Sequence, residues 1–191
     1  MTTFEDRLNQ TLPRLISADV LDNRGAGGEI GFWIFDYPPE REMEMRAWLD
    51  QVIEPGLTKQ KPSLRFATVD LFECVVGLLE ERGLLEKAFE MQLRKGDEAL
   101  LSSLRSILKE DRLAARIVER AGAADLDLLI VKGVGSVYPM LRTHTLLSAL
   151  HPHMGDTPLV MFYPGRYDGM SLRLFNKLGD DNYYRAFRLV S

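Results

Sequence analysis

Leu126-Asp127-Leu128-Leu129-Ile130-Val131-Lys132-Gly133-Val134-Gly135-Ser136, followed by a helix-like segment and then by Leu159-Val160-Met161-Phe162-Tyr163-Pro164-Gly165-Arg166-Tyr167-Asp168, decides the fold. Two short apolar runs separated by a helical crossover predict a parallel βαβ unit, because parallel strands need a connection long enough to return to the starting edge. The nearly unbroken apolar character at 128–131 and 159–162 suits central strands covered by helices on both faces. The expected fold class is therefore α/β, with a mostly parallel sheet flanked by helices. Ligands of such open sheets meet the carboxyl-end rim. Gly133, Gly135, Ser136, Tyr163, Gly165, Arg166 and Asp168 are the first places to look.

Outward from that unit, the amino terminus carries a Thr3/Asp6 helix start, with Phe4, Leu8, Leu12, Leu15 and Ile16 at helical spacing and Pro13 expected to bend or divide the helix. After the glycine-rich loop at 22–28, Ile30-Gly31-Phe32-Trp33-Ile34-Phe35 reads as the first strand. Pro39 opens a helix burying Met45, Trp48, Leu49, Val52 and Ile53, and Pro55-Gly56 ends it. A second, partly exposed strand lies at 64–71 and a helix follows to Gly83. Residues 84–124 are helical almost throughout, broken at Lys95-Gly96-Asp97 and Lys109-Glu110-Asp111, and form an insertion that could serve as a docking arm, within a single α/β domain spanning 1–191. Tyr138-Pro139 starts the crossover helix, which Pro152 and Gly155 terminate; residues 172–179 form a short helix or turn. The last strand lies at 183–190, its arginines pointing outward.

With 46% hydrophobic and 27% charged residues, the composition is that of a globular protein. A formal net charge of -4 argues against indiscriminate attraction to polyanions. The single Cys74, in an apolar helical context, reads as a buried thiol in a reducing compartment. The start of the chain lacks a signal sequence, and no apolar run approaches the ~20 residues that span a bilayer, so a cytoplasmic location is expected.

The first strand is followed by Asp36-Tyr37-Pro38-Pro39 where a phosphate-gripping fold would carry a glycine-rich loop ending in Lys-Ser or Lys-Thr. Prolines lack the N–H donors such a cradle needs. ATP hydrolysis of that kind is not expected. Gly133 and Gly135 lack the third glycine of a dinucleotide turn, since Tyr138 takes its place. Gly133, Gly135, Ser136 and Arg142 remain an anion-binding candidate, set against the plainer reading of glycines in a tight turn. His144, His151 and His153 with Asp156 would begin a zinc site, but proline between two of them and the absence of further thiols favour a polar helix end. Neither a nuclease carboxylate–lysine pattern nor a nucleophile elbow is present. No catalytic residue, metal or cofactor is therefore assigned.

Tyr163, Arg166, Tyr167 and Asp168 form the strongest candidate working surface, extended by Arg185 and Arg188: arginine between tyrosines is the composition of binding hot spots. A turn whose aromatics simply pack is the alternative. Single-stranded nucleic acid would suit the same arginines and tyrosines.

The same residues carry a family resemblance. The run at 132–142, Leu159-Val160-Met161-Phe162-Tyr163-Pro164-Gly165, Leu172-Arg173-Leu174-Phe175 and Phe35-Asp36-Tyr37-Pro38-Pro39-Glu40 together resemble BrxB, a small component of bacterial BREX phage-defence systems. The resemblance covers essentially the whole chain and transfers no catalytic residue. It implies a non-catalytic cytoplasmic subunit working with other BREX proteins, first among them the PglZ phosphatase-like component. Homodimerisation and a nucleic-acid-binding accessory role are the other expectations. The fold it accompanies resembles a degenerate nucleotide-binding fold without a phosphate-binding loop.

Overall fold

The structure, a computed structural model, describes residues 3–22, 31–122, 125–179 and 186–191. Helix α1 (Phe4–Leu15) opens on a reciprocal cap, in which the Thr3 hydroxyl accepts from the Asp6 N–H and the Asp6 carboxylate accepts from the Thr3 N–H. It runs through Pro13 undivided, and α2 (Ala18–Leu21) follows. Strand β1 (Phe32–Tyr37) extends further than its apolar run, carrying Asp36 and Tyr37 inside the strand. Ile30 and the loop at 23–28 lie outside the described residues.

A 3-10 turn at Pro39–Arg41 leads into α3 (Glu42–Trp48), a π-helical stretch at Leu49–Ile53 and α4 (Glu54–Gln60). Pro55-Gly56 thus does not end the helix. Pro55 falls where the π-helical stretch gives way to α4, at a place where the regular helical ladder is already interrupted. Gly56 serves helix packing, since a Cβ there would lie 2.6 Å from a Leu12 methyl. Val52 is exposed rather than buried, because the wider π turn rotates it off the apolar face.

Strand β2 (Phe66–Asp70) precedes α5 (Leu71–Glu81), which Asp70 caps through the N–H groups of Phe72 and Glu73. The insertion comprises α6 (Leu85–Lys95), α7 (Asp97–Ile107) and α8 (Glu110–Ala121). Helix α8 covers the sheet through Leu113, Ala114 and Ile117, whereas α6 has no buried residue and exposes Phe89 and Leu93.

After β3 (Leu128–Lys132) comes a 3-10 turn at Gly135–Val137. Helix α9 (Thr143–Met154) starts later than Tyr138-Pro139: the chain is extended at Tyr138, turns, and is extended again at its N-cap, Arg142, with φ -107 and ψ 134. Pro152 lies inside α9 and Gly155 follows its end.

Strand β4 (Leu159–Tyr167) absorbs most of the segment expected as a rim loop. Beyond it, Leu172-Arg173-Leu174 forms β5 (Leu172–Leu174) rather than a helix, followed by β6 (Leu178–Gly179) and β7 (Ala186–Arg188). Its alternation of apolar and charged residues is the two-residue period of a half-buried strand.

The strands are ordered β2-β3-β4-β1-β7, each neighbouring pair parallel, with β5 and then β6 added antiparallel from β4. Alternate strand residues feed two cores. Trp33, Phe35, Ile130, Val160 and Phe162 pack with Leu8, Leu15, Met45, Ile53 and Leu57 on one face. Ile34, Leu129, Val131 and Met161 pack with Leu71, Val75, Leu113, Ile117, Leu146 and Leu150 on the other. Burial on both faces explains why β3 and β4 show no polar alternation at 128–131 and 159–162. No helix among the described residues is long and apolar enough to cross a membrane.

Candidate functional site

At the carboxyl-end rim, β1 brings Tyr37, β2 brings Asp70 and β3 brings Lys132. Arg46, from the helix that follows β1, lies across them. Its guanidinium donates to Glu42 at 2.8 Å, to Asp70 at 2.9 Å and to the Ser136 hydroxyl at 2.8 Å. The Tyr37 hydroxyl donates to Glu42, and Lys132 pairs with Asp50. Burial, then the charge of Glu42, push the Tyr37 phenol well above its ordinary range. Two cations thus face three carboxylates, so the place where an open α/β sheet takes a phosphate carries no positive surplus.

The anion-binding candidates sit in this filled rim or beside it. Gly133 adopts φ +79, and a Cβ there would lie 2.6 Å from the Asp70 carboxylate, so the space a ligand would use holds a buried negative charge. A Cβ at Gly135 would lie 2.8 Å from the Phe175 ring. The Ser136 N–H is given to the Gly133 carbonyl, and its hydroxyl accepts from Arg46. Arg142 lies apart from these, exposed in a depression with Tyr138, Thr143 and Lys177. The structure therefore brings three of the four together as a packed turn and sets the fourth elsewhere.

Of the partner-binding candidates, Tyr163 and Tyr167 are buried at 2% and 0% exposure. The Tyr167 hydroxyl donates to the Ala186 carbonyl at 2.6 Å, and its N–H donates to Asp36 at 2.9 Å. Asp36 also holds Arg7 at 2.6 Å, while Arg7 stacks over Phe35. Arg188 donates to the Tyr167 carbonyl. These groups join α1, β1, β4 and β7. Arg185 lies outside the described residues.

Arg166 and Asp168 are exposed, on a hairpin that β4 and β5 carry past the parallel sheet. The Asp168 carboxylate accepts from the N–H groups of Ser171 and Met170, at 2.7 and 2.9 Å, and from the Ser171 hydroxyl at 2.9 Å. These donors, the Ser171 N–H foremost, hold its carboxyl down to about 2. Arg173 faces Arg166 across the hairpin, and Asn176 joins them with Asp168 around a depression of about 510 Å³. Sequence reasoning missed Arg173, Asn176, Arg46 and Asp70. The alternation of Leu172-Arg173-Leu174 was the signal for Arg173; Asp70 was marked only as a helix cap, with Glu73 three residues on, and nothing local marks Arg46.

The three histidines do not gather. His151 packs edge-on against Phe32, and among the described residues no group of three His, Cys, Asp or Glu side chains is placed to hold a metal ion.

Comparison with known proteins gives one family, described as BREX protein BrxB, which matches residues 67–189. A BREX protein BrxB from Bacillus cereus (strain H3081.97) is 40% identical over 194 residues, covering 100% of this chain and 99% of that protein. Another, from Escherichia coli O9:H4 (strain HS), is 40% identical over 187 residues, covering 98% of this chain and 92% of that protein. No solved structure matches the chain.

Proposed function

This chain belongs to the BrxB family and is a component of a BREX system; from that premise we propose that it is a non-catalytic, protein-binding subunit that engages the PglZ phosphatase-like component. What supports this reading is the carboxyl-end rim, where Arg46 and Lys132 are consumed by Glu42, Asp70 and Asp50 instead of standing free for a phosphate. A surface for another protein remains available on the hairpin, where Arg166 and Arg173 face outward. Burial of Tyr163 and Tyr167 puts these two rings out of reach of the bases of a single-stranded nucleic acid.

Co-purification with PglZ tests the reading. The expected result is a complex that survives gel filtration at micromolar concentration. A PglZ preparation that never retains this chain overturns it. ATP at millimolar concentration should leave the melting temperature unchanged, since a ligand held by the native state alone raises apparent stability; a rise of several degrees would contradict the non-catalytic assignment.

A further inference from the structure

On the outward face of the β4–β5 hairpin, Arg166 stands directly opposite Arg173, while Tyr167, Leu172 and Leu174 turn to the core. Like charges directly opposite across an antiparallel pair repel. Six other arginines, Arg7, Arg14, Arg41, Arg46, Arg65 and Arg116, each face a carboxylate. The guanidinium groups of Arg166 and Arg173 make no hydrogen bond or ion pair with any described residue. The carboxylate on the same face, Asp168, is held by Ser171 and Met170 and feels Arg173 only at longer range.

The backbone supplies a second observation. Phe175 and Asn176 adopt φ 54 and 61 in a turn closed by the Lys177 N–H on the Leu174 carbonyl at 3.1 Å. Asparagine tolerates that conformation, but in a bulky phenylalanine it is strain that the surroundings must enforce. The Phe175 ring is trapped edge-on against Tyr138 and beneath Gly135. The strained turn puts Asn176 in the depression beside both arginines.

Two guanidinium forks and an amide in one concavity match the bidentate geometry of carboxylates. From this we infer that the hairpin face receives an acidic segment of a protein partner, with Arg166 and Arg173 gripping its Asp or Glu side chains. The inference rests on the protein-binding reading above and gives that partner its chemistry. A nucleic-acid strand shares the negative charge but needs a continuous basic track with exposed aromatics; Asp168 interrupts the track and Tyr163 and Tyr167 are buried.

The test titrates PglZ with the full chain and with Arg166→Glu, Arg173→Glu and the double variant. Each single reversal should weaken binding about tenfold or more, as for an interfacial arginine hot spot, and the double variant should abolish it. Melting temperatures should not fall, because both side chains are exposed and a single reversal turns the cross-strand repulsion into an attraction. In the complex of Arg173→Lys, a carbodiimide should couple the introduced amine to a partner Asp or Glu, identified by mass spectrometry. A double variant that binds as tightly as wild type overturns the inference and leaves the protein-binding reading standing, as does an intact Arg173→Lys complex that yields no such coupling. A single-stranded oligonucleotide bound by wild type and lost in the double variant reassigns the face to phosphates and also overturns it. Wild type that fails to bind PglZ removes the underlying reading and the inference with it.

Discussion

Asp36 is a small residue with a large structural reach: one oxygen holds Arg7 of the first helix and the other accepts from the Tyr167 backbone, both in surroundings with little water. Removing it leaves a cation and an N–H buried without a partner, which costs far more than the net worth of the pair. Asp36→Ala should lower stability by roughly 3–5 kcal/mol, read from the shift of the urea unfolding midpoint. Asp168 behaves oppositely, being exposed but strongly bound by donors. Its folded value of about 2 lies below the ordinary 3.8, so its contribution to the hairpin is fully present above about pH 3.8 and is lost as pH falls through 2. NMR of the Asp168 side-chain carbon should show a titration midpoint near 2; an ordinary midpoint would mean the turn is open in solution. Both aspartates stand in the sequence beside tyrosines and look alike there. Only the third dimension separates a buried clasp from a surface turn.

Among the elements, the β4–β5 hairpin depends on glycine. A Cβ at Gly165 would lie 2.1 Å from the Arg173 carbonyl, a backbone atom that cannot swing aside. Gly165→Ala should therefore part the two strands, with faster amide exchange at Arg173 and Phe175 while β3 stays protected. Protection retained at those amides would show that the hairpin adapts. The parallel strands β3 and β4 were legible in the sequence, because burial on both faces leaves unbroken apolar runs. The helical breaks near Gly96 and Lys109 were legible too, through turn residues at element ends. The continuation of β4 was not, since Pro164-Gly165 ordinarily announces a turn. There the proline sits where β4 leaves the pairing with β1 for that with β5, and its carbonyl accepts from Phe175. The arginine pair stayed hidden for the same reason: once residues 163–168 read as a loop, nothing could place Arg173 opposite Arg166.

Across the whole molecule, stability is distributed unevenly. The middle of the sheet lies between two cores, whereas α6 touches its neighbours without burying one residue completely. Local opening is least costly where buried apolar contacts are fewest. Hydrogen exchange should therefore release α6 amides first and those of β3 and the first half of β4 last; a protected α6 would mean that its exposed Phe89 and Leu93 are covered in solution. The carboxyl-end rim adds a further constraint, because Arg46 ties the connection after β1 to β2 and to the turn after β3. Each of those segments is thereby held in register with the others.

One strand, β4, lies between β3 and β1 over its first half and forms the hairpin with its second. A body that takes hold of the hairpin is thus fastened to the sheet by a stiff handle rather than a tether. Its orientation toward the remainder of this chain follows from the direction of the strand, and the two should tumble as a single particle.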